Sequence, residues 1–115
     1  MKRLEHCFKL GSKVTVYVPS TVEVDKSVDN EKYVKAVAEK LSTWFGGATS
    51  TPARGYWVSS TAGLVKENTT VVFAYTNTEG LESNIDRLVD LCEWLKAEMT
   101  QESVALEING EMYFI

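Results

Sequence analysis

The sequence predicts an α+β fold of the ferredoxin-like kind: βαββαβ with an added C-terminal β-hairpin strand, an antiparallel sheet with two helices on one face. Three observations carry this. Val14, Val16 and Val18 alternate with Thr15 and Tyr17, the period-two signature of a half-buried strand. Two segments repeat apolar residues at helical spacing, and two β-branched, aromatic segments lie between them. Asn109-Gly110 stands between Val104-Ala105-Leu106-Glu107-Ile108 and Met112-Tyr113-Phe114-Ile115, and it is the dipeptide that tight hairpins prefer.

Taken in order, the first strand ends at Pro19-Ser20, where proline withholds its ladder N–H. Asp29 or Asn30 caps a helix whose apolar stripe is Val34, Val37, Ala38, Leu41 and Phe45, and Gly46-Gly47 ends it. Strands are expected over Ala53–Ser59 and Thr69–Tyr75, joined by a polar turn around Thr61-Ala62-Gly63. Thr76 with Glu79 resembles a capping box opening a long helix with Ile85, Leu88, Cys92, Leu95 and Met99 on one stripe. The alternating segment from Val104 and the terminal strand complete the order β-α-β-β-α-β-β.

A chain of 115 residues with 44% hydrophobic positions can bury a core without metals or cross-links, so residues 1–115 are read as a single domain, with 1–12 as an N-terminal arm. Cys7 and Cys92 are far apart and read as reduced thiols of a cytoplasmic protein. No apolar run follows the basic Met1–His6 stretch, as a signal peptide would need, and no segment has the length of a membrane span. The net charge of −4 is uneven: residues 1–13 carry Lys2, Arg3, Lys9 and Lys13 against Glu5, whereas residues 79–111 carry nine acids against Arg87 and Lys96. Duplex nucleic acid needs a continuous basic face, and none is expected here.

Two helices cover one face of such a sheet, which leaves the other face for a partner or a ligand. With Val14, Val16 and Val18 toward the helices, Thr15 and Tyr17 face outward. The companion set on the middle strands is Trp57, Ser59, Val72 and Ala74, or, with a one-residue slip, Tyr56, Val58, Val71, Phe73 and Tyr75. Either set is apolar enough to predict a homodimer through the open sheet face.

Several chemistries lack their residues. His6 is the sole histidine, so no serine–histidine triad and no zinc cluster is expected. Gly46-Gly47 is not followed by the Lys-Ser/Thr of a phosphate loop, and it follows a helix where a dinucleotide fingerprint follows a strand. No cofactor, metal or catalytic residue is assigned. What remains suits a small polar or anionic ligand such as a nucleotide: N–H groups at Gly46 and Gly47 with the hydroxyls of Thr49, Ser50 and Thr51 as an anion nest, Arg54 and Lys66 as neutralising charges, Tyr56 or Trp57 as a stacking surface, and Glu67 beside them as a site carboxylate. Glu107 joins them if it points to the open face.

The run Phe45-Gly46-Gly47-Ala48-Thr49, then Gly55-Tyr56-Trp57, then Glu67 before a valine-rich strand, resembles an uncharacterised family of small bacterial and phage proteins. It is similar more loosely to a domain-of-unknown-function family with a Phe-x-Gly-x-Thr, Gly-x-Trp and Glu pattern. Carriage by phages implies an anti-defence role, and the expectation is a non-enzymatic binding protein that sequesters a nucleotide immune signal. One alternative is a small dimeric ferredoxin-like enzyme using Glu67 or Tyr17; another is an inhibitor that binds a host protein through the acidic second helix.

Overall fold

A computed structural model describes residues 2–22, 26–27 and 29–115. The elements run β1 (Ser12–Pro19), β2 (Thr21–Val22), β3 (Lys26–Ser27), α1 (Glu31–Phe45), β4 (Thr49–Ser59), β5 (Gly63–Thr76), α2 (Thr78–Glu98), β6 (Ala105–Ile108) and β7 (Glu111–Phe114), with a short 3-10 turn at Lys2–Leu4. Five strands form one antiparallel sheet in the order β4-β5-β1-β6-β7, and β2 with β3 forms a separate small ribbon. Removing the added strand β7 leaves the split β-α-β order of a ferredoxin-like sheet, as the sequence predicts.

The core lies between this sheet and the two helices. Val14, Val16 and Val18 of β1, Val37 and Leu41 of α1, Val72 of β5, and Leu88, Cys92 and Leu95 of α2 are all fully buried. Leu91, outside the anticipated stripe, is also buried because it faces α1. Burial pushes the Cys92 thiol up to about 12, so it stays protonated and unreactive.

Strand parity corrects the grouping on the open face. Thr15 pairs with Phe73 and Tyr17 with Val71, so the uncovered set on β5 is Val71, Phe73 and Tyr75, while Val72 and Ala74 are buried under the helices. On β4, Trp57 pairs with Val65 and shares this face, whereas Tyr56 and Val58 face the other way. The two sets considered from sequence each mixed one strand's outward residues with another's inward ones, because the hairpin register could not be counted without its turn. The strands are also longer than expected, and the turn is only residues 60–62. Pro52 is accommodated because β4 is an edge strand.

β1 pairs with β5 only as far as Thr69, so residues 54–68 continue as a two-stranded ribbon beyond the sheet. It draws the molecule out to 53 × 28 × 21 Å, with a radius of gyration of 15.7 Å; a compact chain of this length has about 13 Å.

The helix ends differ from expectation by single residues. Asn77 caps α2, accepting a hydrogen bond from the Gly80 N–H at 2.8 Å, in place of a Thr76 box. At α1, Asp29 Oδ1 accepts from the Glu31 N–H, while the Asn30 amide turns back to donate to the Pro19 carbonyl at 3.0 Å. Gly46 ends α1 at φ 88°, in the left-handed region, and donates its N–H to the Ser42 carbonyl. Replacing Gly46 with alanine adds a Cβ that meets no neighbour, so the expected loss, about 1–2 kcal/mol, is the backbone strain alone. A thermal melt of Gly46→Ala should show a fall of at least about 4 °C for a domain near this size.

Candidate active site

The open face carries polar groups at the end where β1 meets Pro19. Tyr17 projects from the central strand, and Glu107, one strand over on β6, lies on the same face because Thr15 pairs with Glu107. The Tyr17 hydroxyl donates to Glu107 Oε1 at 2.8 Å. On the other flank, Glu67 sits on β5 just beyond the end of β1, opposite Gly55. Its Oε1 accepts the Trp57 indole N–H at 3.2 Å. A glycine opposite Glu67 leaves that carboxylate free of a facing side chain.

A depression of about 210 Å³ joins these groups, with Tyr17, Ser20, Glu67, Gln101, Ser103 and Phe114 among its walls. The segment after α2 is fixed by its own polar bonds. The Gln101 amide donates to the Thr21 carbonyl at 2.7 Å and to the Met99 carbonyl at 3.1 Å, and Thr100 takes φ 51° to make the turn. Gln101, Ser103 and Ser20 escaped the sequence analysis because they lie in loops, where no periodicity assigns a direction. Tyr17 and Glu107 were visible as candidates, but only the β1–β6 register brings them into contact.

The described walls of this cleft contain no lysine or arginine, while Glu67 lies in them and Glu107 stands behind Tyr17. One carboxylate in the wall, with a second close behind it and no base in the wall, favours a cation. This reverses the expected preference for an anion. Tyr17 is held above its ordinary value of 10.0, chiefly by burial and then by the hydrogen bond and charge of Glu107, so it is a neutral hydroxyl at physiological pH and not a base. Its folded-state pKa exceeds the unfolded one, so the associated stability is present below pH 10 and is lost as pH rises through the folded value. Ultraviolet titration should show two late-titrating tyrosines in the native protein, Tyr17 and Tyr113, the second held up by its hydrogen bond to Glu111; Glu107→Gln should move only the first toward 10, and an unmoved titration would break the assignment.

The residues expected to form one site fall into three places. Trp57 and Glu67 meet in the cleft region. Gly46, Gly47 and Thr49 lie with Leu10, Phe73 and Tyr75 at the opposite end of β4, where Thr49 is six residues, or about 20 Å, from Gly55 opposite Glu67. The Gly46 N–H is spent on the helix cap, so it does not form an anion nest there. Arg54, Tyr56 and Lys66 occupy the other face of β4 and β5, where Tyr56 pairs with Lys66 and Arg54 borders a separate depression with Ser20, Asn30 and Asn68. The double-glycine turn and the aromatic triplet are close in sequence, but an extended strand carries them apart.

Among the described residues no group of three histidine, cysteine, aspartate or glutamate side chains is placed to hold a metal ion. No described helix is long and apolar enough to cross a membrane. No model of a known family matches the chain, and no curated protein matches it by sequence. Solved structures do resemble it in fold, among them two of a phage enzyme. A phage SAM lyase in its apo state is 27% identical, superposes with a TM-score of 0.68, and is matched over 96% of this chain and 92% of its own. A phage SAM lyase in complex with S-methyl-5'-thioadenosine is 22% identical, with a TM-score of 0.64, over 95% and 94% of the two chains. The expectation of a non-enzymatic sequestering protein is therefore corrected: the solved protein that this chain matches at 27% identity over nearly its whole length is a lyase.

Proposed function

We propose that this protein is an enzyme that cleaves S-adenosylmethionine, or a closely related sulfonium nucleoside, and releases S-methyl-5'-thioadenosine. The observation that carries the proposal is the full-length likeness, at 27% identity, to a phage SAM lyase. The acidic cleft supports it independently, because the substrate bears a sulfonium and an ammonium group, and carboxylates with aromatic faces are what hold such cations.

The bond to break joins the sulfonium sulfur to the γ-carbon of the aminobutyrate arm. Its electron pair goes to sulfur, which becomes a neutral thioether. The arm is left needing electrons at the γ-carbon, and they come either from its own carboxylate, closing a five-membered lactone, or from the adjacent C–H bond as a base removes that proton and an alkene forms. Neither route consumes an oxidant, a reductant or a second substrate. Glu67, with one oxygen engaged by Trp57, keeps the other for the ammonium or for that proton. Tyr17 directs its O–H at Glu107 and offers its oxygen lone pairs to a substrate donor. Phe114, paired with Ala105 of β6 and lining the cleft beside it, supplies a flat face for adenine.

The assembly reading belongs with this proposal. The projecting ribbon and the uncovered apolar face are expected to pack on another copy, and that copy closes the cleft against water. Phage carriage and an anti-defence role fit an enzyme that strips a host of its methyl donor. Purified protein incubated with S-adenosylmethionine should generate S-methyl-5'-thioadenosine, detected by liquid chromatography and mass spectrometry. Recovery of the sulfonium compound unchanged, from folded protein at high enzyme concentration, would defeat the proposal.

A further inference from the structure

The aminobutyrate arm of S-adenosylmethionine ends in an ammonium and a carboxylate, and the acidic cleft suits only the first. A carboxylate beside Glu67, with no base in the described walls, meets repulsion and finds no counter-charge. The cleft is also short of room: at about 210 Å³ it is smaller than the roughly 300–1,000 Å³ of sites that enclose a molecule of this size.

A second depression, of about 570 Å³, meets the cleft at a rim that belongs to both, since Ser20, Asn68 and Thr69 line the two alike. Arg54 is the one charged residue of its described lining. On the reading that the substrate is S-adenosylmethionine, we infer that it lies across this rim and that Arg54 binds the carboxylate of its arm.

The sheet explains why a molecule can cross there. β1 pairs with β5 no further than Thr69, so beyond that residue no described strand covers the inner edge of β5, and the two faces of the sheet meet around it. Ser20 is fastened at this edge, its hydroxyl donating to the Asn68 carbonyl. Glu67 and Asn68 are consecutive on the strand and point to opposite faces. Gly55 is the cross-strand partner of Glu67, and Arg54 that of Asn68. Acid and base therefore stand on either side of one edge, a strand spacing of about 5 Å apart along the sheet. The ammonium and carboxylate of the arm hang from a single carbon, so the groups that take them have to be this close.

The remaining dimensions agree. Phe114 on β7 is three strand spacings from β5, about 14 Å, so with adenine against Phe114 the arm arrives at the rim. The Asn30 amide in the second depression is committed to the Pro19 carbonyl at 3.0 Å. A guanidinium, with its donors in a planar fork, is the side chain whose shape and charge fit a carboxylate.

Isothermal titration calorimetry with two ligands tests the assignment. Sinefungin has an amine-bearing carbon in place of the sulfonium centre, so it keeps the carboxylate and cannot be cleaved; its decarboxylated analogue differs only at that group. Native protein is expected to bind sinefungin at least tenfold more tightly than the analogue. Arg54→Met keeps an unbranched side chain and removes the charge, so it should weaken sinefungin at least tenfold while changing the analogue less than twofold. The unchanged analogue also reports that the variant is folded. Sinefungin affinity that Arg54→Met leaves in place, equal losses for the two ligands, or native protein that binds no sinefungin each overturns the inference. The proposed reaction is scored apart. Cleavage of S-adenosylmethionine with a KM indifferent to Arg54→Met would overturn the inference and keep the reaction; Arg54-dependent binding of sinefungin, with S-adenosylmethionine recovered intact, would do the reverse.

Discussion

Glu67→Gln is expected to lower kcat/KM for S-adenosylmethionine about 10²- to 10³-fold, the usual effect of deleting one preorganised charge from a reacting centre. The substitution keeps the size and the acceptor oxygen, so the Trp57 indole can still donate at its present 3.2 Å position. What disappears is the negative charge. If Glu67 serves mainly to hold the ammonium, the loss appears largely in KM; if it removes a proton as the bond to sulfur breaks, kcat falls with kcat/KM. Steady-state release of S-methyl-5'-thioadenosine over a range of substrate concentrations separates the two. Glu111→Gln is the matched control, since Glu111 accepts from Tyr113 on β7 and is not part of the cleft wall. Equal activity of the Glu67 variant and this control would remove Glu67 from the mechanism.

The architecture was legible in the sequence because its signals are periodic and local. Alternating valines, two helical stripes and Asn109-Gly110 specify the elements, and their order leaves few ways to join them. The pairing of side chains across strands was not legible, because a one-residue uncertainty in the β4–β5 turn exchanges the two faces of the sheet. Trp57 was correctly placed on the open face, yet Val72 and Ala74 were set beside it and belong to the core. The site suffered from the same limit. Gly46-Gly47 and Gly55-Tyr56-Trp57 sit within twelve residues, and proximity in sequence suggested a shared pocket, but an intervening strand separates them. Glu107 could be tied to Tyr17 only by the β1–β6 register, and the acidic character of the cleft emerges only once Glu67 joins them there. The expected anion-binding site rested on Arg54 and Lys66, which project from the other face.

The ribbon gives the second large effect. Val58→Asp combined with Leu64→Asp is expected to convert an oligomer to monomers and to reduce turnover more than tenfold. An isolated two-stranded hairpin is marginal in water, so the ribbon beyond Thr69 needs support that its own sheet does not provide. Val58 and Leu64 are direct cross-strand partners, 77% and 67% exposed, and Tyr56 next to them on that face is 57% exposed. Such a cluster is what an interface buries. Two facing carboxylates repel each other across the ladder and cannot be desolvated together against a partner. Trp57 and Glu67 lie on the opposite face of the ribbon, so the substitution does not touch the cleft contacts directly. Light scattering reports the mass, and the activity assay reports the rest. Monomers that retain full turnover would show that the cleft of one chain suffices, and an unchanged mass would place the interface somewhere other than the ribbon.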